Sequence, residues 1–215
     1  MAIRLLPSEY LVRTGPVDHA DWNYRPILGS ISRQRHTICV RLLPAMKSKK
    51  MLEIGYGSGV FLPELAMHCE QLHGIDIHEQ AGAVEQRLRD FGVSAHLQQA
   101  TAANMPFHTG FFDAIVAISS LEFVADMPAA AREISRVLQP EGRLIVITPG
   151  NSPLVDCGLK LLTGKSAKQD YEGRREQMLP ALLEHFEIEA QRTFPSFLSS
   201  VVCLYKGLRL KKKSS

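Results

Sequence analysis

Three glycines alternate with other residues at Gly55, Gly57 and Gly59, directly after a short apolar run, Met51–Ile54. Apolar residues at helical spacing follow them, so the stretch predicts a strand, a sharp turn and a helix. Glycine suits such a turn because it adopts positive φ angles and lets a ligand approach the main chain without meeting a Cβ. The free N–H groups of a helix start attract polar or anionic ligand groups. The stretch predicts a ligand-binding turn, and the alternative is a tight turn without a ligand.

Two carboxylates are spaced around this turn. Glu53 lies two residues before the first glycine, and Asp76 lies 21 residues after it, in the strand predicted over Gln71–Ile77. A carboxylate at that separation can accept hydrogen bonds from two adjacent ribose hydroxyls. The alternative for Asp76 is an N-cap for a helix over Glu79–Asp90. Val60 occupies the position where a dinucleotide fingerprint requires a small residue, which ranks an NAD-dependent oxidoreductase below other nucleotide-binding classes.

The pattern Glu-x-Gly-x-Gly-x-Gly over residues 53–59 resembles the first motif of class I S-adenosylmethionine-dependent methyltransferases. The resemblance implies that the glycine turn packs against the amino-acid end of S-adenosylmethionine and that Glu53 helps to hold its ammonium group. It also implies that Asp76 binds the ribose and that Ile77 lies against the adenine. The cofactor-binding residues implied in this way are Glu53, Gly55, Tyr56, Gly57, Gly59, Asp76, Ile77, Thr101, Ala102 and Ser119.

Three later segments extend the resemblance to about Thr148. Residues 99–107 are similar to a loop in which the family's acid bonds the adenine amino group, but Thr101 occupies the position of that acid. Adenine recognition would then rest on the main chain around Ala102. Phe112–Ile118 is almost continuously apolar, as expected for a strand buried on both faces of a parallel sheet, and resembles the family's fourth strand. Leu138–Thr148 resembles the turn into its fifth.

No catalytic residue is assigned by the sequence. Methyl transfer depends mainly on positioning, and a general base is needed only where the accepting atom must lose a proton. Some quinone-pathway O-methyltransferases hold a divalent cation with a Glu-x-x-Glu-His segment, whereas this chain has Ser119, Glu122 and Phe123 at the three ligand positions. No metal is therefore expected. The candidate bases are Glu122, Ser119, Ser120, His19, Tyr10, Tyr24 and His36.

The element pattern predicts an α/β fold, a doubly wound, mostly parallel seven-stranded sheet with helices on both faces, in a single methyltransferase domain over residues 1–215. A helix is predicted from Pro26 to Pro44, another from the glycine turn to about Cys69, and two closing strands over Phe186–Phe194 and Phe197–Tyr205. The predicted regions are an N-terminal cap or lid and helix (1–45), a cofactor-binding core (46–150), a variable substrate-side insertion (151–185), closing antiparallel strands (186–206) and a basic tail (207–215).

Composition restricts the setting of this domain. The 215 residues carry a net charge of +3, and no apolar run approaches the length of a membrane span. Pro7 interrupts the first apolar run, so no signal peptide is expected. The four cysteines are widely separated, which fits a reducing cytoplasm. The final lysines could face an anionic partner, but a run this short favours a solvated tail.

The favoured function is methyl transfer from S-adenosylmethionine to a small-molecule acceptor, because no RNA-binding appendage or peptide groove is recognisable. The alternatives are a methyltransferase acting on RNA or protein and a non-catalytic nucleotide-binding regulatory module. Tyr10, Trp22 and Tyr24 suit a lid over a flat substrate, or else packing of the N-terminal segment against the sheet. Neither the accepting atom nor the oligomeric state is indicated.

Overall fold

The computed structural model describes residues 3–15, 18–150, 174–195 and 203–213. Its single sheet has seven strands in the order β3–β2–β1–β4–β5–β7–β6. All neighbouring pairs are parallel except those of β7, which runs antiparallel to both β5 and β6. The predicted mostly parallel sheet is thereby confirmed. The strands are β1 (Ser48–Ile54), β2 (Cys69–Asp76), β3 (His96–Gln99), β4 (Phe112–Ile118), β5 (Leu138–Pro149), β6 (Phe186–Phe194) and β7 (Tyr205–Lys212).

Helices cover both faces of the sheet. Successive residues of the central strands alternate between two apolar cores: Val116 of β4 packs with α1, α2 and α3, whereas Ile115 packs with α4 and α5. This alternation explains why β4 is apolar at almost every position. Within the described residues the α-helices are α1 (Pro26–Leu42), α2 (Leu62–Leu65), α3 (Ala81–Asp90), α4 (Met127–Val137) and α5 (Arg174–His185).

Local sequence signals set the helix ends. Pro26 stands in the first turn of α1, where a missing N–H costs nothing, and the helix stops two residues before Pro44. Asp126 caps α4 by accepting a hydrogen bond from the Ala129 N–H at 2.9 Å. No helix among the described residues is long and apolar enough to cross a membrane.

The helix predicted after the glycine turn is much shorter than expected. It spans only Leu62–Leu65, and β2 already begins at Cys69. The Ser48 N–H donates to the His68 carbonyl at 2.9 Å, and Cys69 pairs with Ser48 in the parallel ladder. Residues 66–68 form a turn between the helix and β2, and the pairing of Cys69 with Ser48 sets where β2 begins.

The last strand also lies elsewhere than predicted. The first closing strand is confirmed as β6, but the second is β7, which begins at Tyr205, where the predicted strand ended. The basic tail predicted from residue 207 is therefore wrong for residues 207–212, because Leu208 and Leu210 are buried in the core. Lys211 pairs with Glu187 at 2.9 Å. Residues 196–202 and 151–173, with Cys157, lie outside the description.

Candidate functional site

The strand order reverses between β1 and β4, which places a crevice beyond the carboxyl ends of these strands. The glycine turn follows β1, Asp76 ends β2 and Ser119 follows β4. The sheet thus brings together the three segments that the sequence predicted to form a cofactor site.

The glycine turn needs its glycines. Gly55, Gly57 and Gly59 have φ angles of +76°, +53° and +75°, in the region that favours glycine. A Cβ on Gly55 would stand 2.4 Å from the Cβ of Ser120. The Ser120 hydroxyl also donates to the Ile54 carbonyl at 2.6 Å. The turn after β1 is therefore in direct contact with the end of β4.

Asp76 is tied to the same turn. Its Oδ2 accepts a hydrogen bond from the Gly57 N–H at 2.8 Å and its Oδ1 one from the Ile77 N–H at 2.7 Å. A carboxylate has about four acceptor positions, so lone pairs remain on both oxygens for two ligand hydroxyls. Ile77 follows with 73% of its surface exposed, which leaves an apolar face beside the carboxylate.

His78 is a residue that the sequence reasoning missed. Its Nδ1 accepts from the Gln80 N–H at 3.1 Å, so its Nε2 carries the proton and donates to the Gly57 carbonyl at 3.0 Å. Gly57 is therefore held at both its N–H and its carbonyl by residues at the end of β2. Nothing in the sequence indicated this contact, which joins residues 21 apart.

Glu53 lies beneath the turn as a buried acid. Only 4% of its surface is exposed, and within the described residues Oε2 has no hydrogen-bond partner. Burial, aided by the Asp76 carboxylate and opposed by Arg35, raises the pKa of Glu53 from 4.5 to about 8. At neutral pH this carboxyl is mostly protonated in the free protein.

Three other predicted positions differ in exposure. The Tyr56 ring is buried and packs close to Gly74, and burial raises the pKa of its phenol. A ligand could therefore meet Tyr56 only through its main chain. Ala102 is buried with Ile54 and Ile75, whereas Thr101 is exposed and pairs with Asn104 in an isolated bridge.

Ser119 is held in an unusual conformation at the end of β4. Its φ of +51° is positive although it is not glycine. Its hydroxyl is buried, with no hydrogen-bond partner in the described part of the chain, and its N–H donates to the Ile147 carbonyl at 2.7 Å. Such a conformation in a non-glycine residue costs about 1–3 kcal/mol and is often found at binding sites.

The candidate bases in the first 36 residues lie in several environments. The Tyr10 ring packs against Phe91 at 5.5 Å between centroids, and the Tyr24 hydroxyl donates to the Leu6 carbonyl. His36 is stacked on Phe61 at 4.4 Å, and burial lowers its pKa well below its ordinary value. Tyr10, Tyr24 and His36 are thus engaged in packing or in main-chain contacts, and no described group is assigned as a base.

The N-terminal segment, residues 3–15 and 18–25, lies over the glycine turn. The Leu6 N–H donates to the Val60 carbonyl at 2.9 Å, and the Arg4 N–H to the buried Glu64 at 2.6 Å. Trp22 stacks on His19 at 4.4 Å between ring centroids. A cavity of about 520 Å³ is lined mainly by this segment, and Ser58 is its lining residue from the turn. Its lining residues include Ser8, Leu11, Arg13, Asp18, Tyr24 and Ser58.

The described side chains do not form an evident metal-binding site. Among the described residues no three or more histidine, cysteine or acidic side chains are grouped as metal ligands. Glu122 is buried after β4, next to the exposed Phe123. Independence of metal remains a prediction.

Comparison with known proteins adds independent findings. A family model described as a methyltransferase domain matches residues 52–146. The ubiquinone/menaquinone biosynthesis C-methyltransferase UbiE of Vibrio cholerae is 33% identical over 208 residues, which cover 84% of this chain and 79% of that protein. The ubiquinone biosynthesis O-methyltransferase of Pseudomonas aeruginosa is 32% identical over 111 residues, covering 50% of this chain and 47% of that protein.

The fold has a solved counterpart as well. The N-methyltransferase NodS of Bradyrhizobium japonicum, in complex with S-adenosylhomocysteine, superposes with a TM-score of 0.62 at 22% identity. The match covers 86% of this chain and 88% of that one. By contrast, the chain spans only 22% to 47% of the length of several curated relatives that it matches.

Proposed function

The chain belongs to the class I S-adenosylmethionine-dependent methyltransferases, and on that premise we propose that it transfers a methyl group from S-adenosylmethionine to a small organic acceptor. The observation that carries the proposal is the hydrogen bond from the Gly57 N–H to Oδ2 of Asp76, 2.8 Å long, at the point where the strand order of the sheet reverses. This hydrogen bond sets a carboxylate with remaining lone pairs beside the glycine turn, which suits a nucleoside with an amino-acid substituent.

The residues present fit this cofactor. Positive φ angles at Gly55 and Gly57 produce the sharp turn after β1, and Asp76 retains acceptors for two ribose hydroxyls. Ile77 offers an exposed apolar face for a purine ring. Thr101, in the place of an acid, leaves the adenine amino group to main-chain acceptors near Ala102.

The chemistry asks for positioning above all. When bound, S-adenosylmethionine supplies a methyl group on a good leaving group, so alignment and exclusion of water account for most of the catalysis. Asp76 and the glycine turn bind and orient the nucleoside and amino-acid ends. The N-terminal segment lines a cavity together with Ser58, and its proposed role is to limit the access of water to the amino-acid side of the site.

The acceptor is proposed as a small molecule because two relatives are named for quinone biosynthesis and cover half or more of this chain. A cytoplasmic setting is proposed on the dispersed cysteines, of which Cys39 and Cys69 are buried thiols. The aromatic N-terminal segment is proposed to form one wall of the acceptor pocket.

The test is calorimetric titration with S-adenosylmethionine, S-adenosylhomocysteine and NAD. Both sulfur compounds should bind and NAD should not. Asp76→Ala should weaken binding by about 1.5–3 kcal/mol, because charge-assisted hydrogen bonds are lost. Tight NAD binding without a response to either sulfur compound would refute the proposal.

A matched control is available at the opposite end of the sheet. Asp113 likewise accepts two main-chain hydrogen bonds, from the N–H groups of Lys49 and Lys50 at 2.7 and 2.8 Å. Asp113→Ala should lower stability but leave cofactor affinity unchanged.

Turnover with any accepted substrate should also survive EDTA. A loss of turnover that magnesium restores would show a metal requirement.

A further inference from the structure

A second carboxylate touches the glycine turn, and it comes from the N-terminal segment. A Cβ on Gly57 would stand 3.4 Å from Cγ of Asp18 and 3.5 Å from both of its oxygens. Asp18 therefore lies in van der Waals range of the face that the glycine leaves open.

The Asp18 side chain is held in place by its own segment. The Thr14 hydroxyl donates to Oδ2 at 2.7 Å and the Ala20 N–H donates to Oδ1 at 3.1 Å. Two donors aimed at the carboxyl suit an anion, and each oxygen keeps a further lone pair. The carboxylate is thus oriented towards the turn before any ligand arrives.

A buried polar group lies in the same cavity. Ser58 is 2% exposed, and its hydroxyl has no hydrogen-bond partner within the described residues. Both Ser58 and Asp18 line the cavity of about 520 Å³, whose other lining residues belong to the N-terminal segment. An unpaired buried hydroxyl is costly, so a polar ligand group at this place would satisfy it.

Glu53 is a poorer partner for a cation at the turn. It lies beneath the main chain, 4% exposed, and burial raises its pKa to about 8. Burial that disfavours the charged form of this carboxyl also works against its pairing with an ammonium group. Asp18, half-exposed and held by two donors, approaches the turn from the open side.

We propose that Asp18 binds the ammonium group of the cofactor's amino-acid end, across the glycine turn from Glu53. The inference rests on the proposed function, since it concerns the same cofactor. It makes the N-terminal segment part of the cofactor site: a bound ammonium links Asp18 to the turn and so holds this segment over the ligand.

The test uses S-adenosylhomocysteine and its analogue without the amino group. S-adenosylhomocysteine has no sulfonium, so the ammonium is its only cation. By calorimetry, the wild-type protein should bind the deaminated analogue about tenfold to a hundredfold more weakly. The Asp18→Asn variant should bind S-adenosylhomocysteine more weakly than the wild type by a similar factor. It should bind the analogue as well as the wild type does.

Two variants control the result. Glu9→Gln removes another acid of the N-terminal segment, exposed and outside the cavity lining, and should bind like the wild type. Glu53→Gln should still prefer S-adenosylhomocysteine over the analogue. Thermal melting without ligand should show that Asp18→Asn is folded, and Asp18→Glu should recover part of the preference.

The outcomes separate the two proposals. Wild-type binding of S-adenosylhomocysteine with an unchanged preference in Asp18→Asn would overturn the assignment of Asp18. A preference lost only in Glu53→Gln would assign the ammonium to Glu53 instead. Failure of the wild-type protein to bind either compound would refute the proposed function itself.

Discussion

The glycine turn and the N-terminal segment lie against each other, but they are built differently. Gly57 is held at its N–H by Asp76 and at its carbonyl by His78, and Gly55 abuts Ser120. The N-terminal segment is buried at Leu6, Ala20 and Asn23, and its other described residues are half-exposed or exposed. In the proposed site, one wall is thus fixed by the sheet, and the other is held at three separated buried positions.

The largest expected effect comes from a substitution in the glycine turn. The Gly55→Ala variant would place a Cβ 2.4 Å from the Cβ of Ser120. It would also force the alanine to adopt a positive φ angle. Backbone strain and overpacking together should cost about 4 kcal/mol of unfolding free energy. Cofactor affinity should fall with it. Chemical denaturation and calorimetric titration measure the two effects.

Gly92→Ala is the matched control for strain alone. Gly92 has a φ of +77°, close to that of Gly55, but no atom lies within 4 Å of its Cβ position. It should cost only about 1–2 kcal/mol and leave the affinity intact. Equal losses in the two variants would show that contact with Ser120 does not matter.

The second largest expected effect tests whether the N-terminal segment is part of the hydrophobic core. Leu6→Ala should lower the free energy of unfolding by about 3 kcal/mol, because it empties a fully buried site. Ile27→Ala, at a position 78% exposed, should change it little. If Leu6→Ala is also neutral, the segment is only loosely attached. Deletion of residues 1–25 is then the cleaner test of a lid.

The smallest effect is a pH dependence from the acid under the turn. Between about pH 4.5 and 8 native Glu53 keeps a proton that the unfolded chain has released. Stability is therefore complete below this window and declines as pH rises through it. The loss should be about 2 kcal/mol between pH 6 and 8. Glu53→Gln should flatten that slope, and an unchanged slope would show that Glu53 ionises normally.

Prediction from sequence worked best where a short pattern and its contacts coincide. The glycine spacing, the position of Asp76 and the apolar run of β4 each identify an element by neighbouring residues, and the structure confirms those elements. It failed where the structure of a segment depends on strand pairing with residues far away in the chain. The helix after the turn is cut short by pairing of Cys69 with Ser48, and β7 took a lysine-rich stretch into the sheet.

Contacts at the site follow the same rule. His78 and Asp18 reach Gly57 through hydrogen bonds or close packing that no local pattern encodes. Tyr56 follows a glycine and was predicted to meet the cofactor, yet its ring turns into the core beside Gly74. A motif therefore identified which main-chain atoms matter, but not the direction of each side chain.

The position of β7 between β5 and β6 has a consequence for the order of folding. β6 pairs with no strand other than β7 in the described sheet, and β7 comes after it in the chain. While the chain is being synthesised, β5 therefore presents an unpaired edge until residues 205–212 have emerged. Such an edge invites pairing with other chains. Crowded expression should lead to aggregation through β5, and slower translation of the last strand should prolong this exposure.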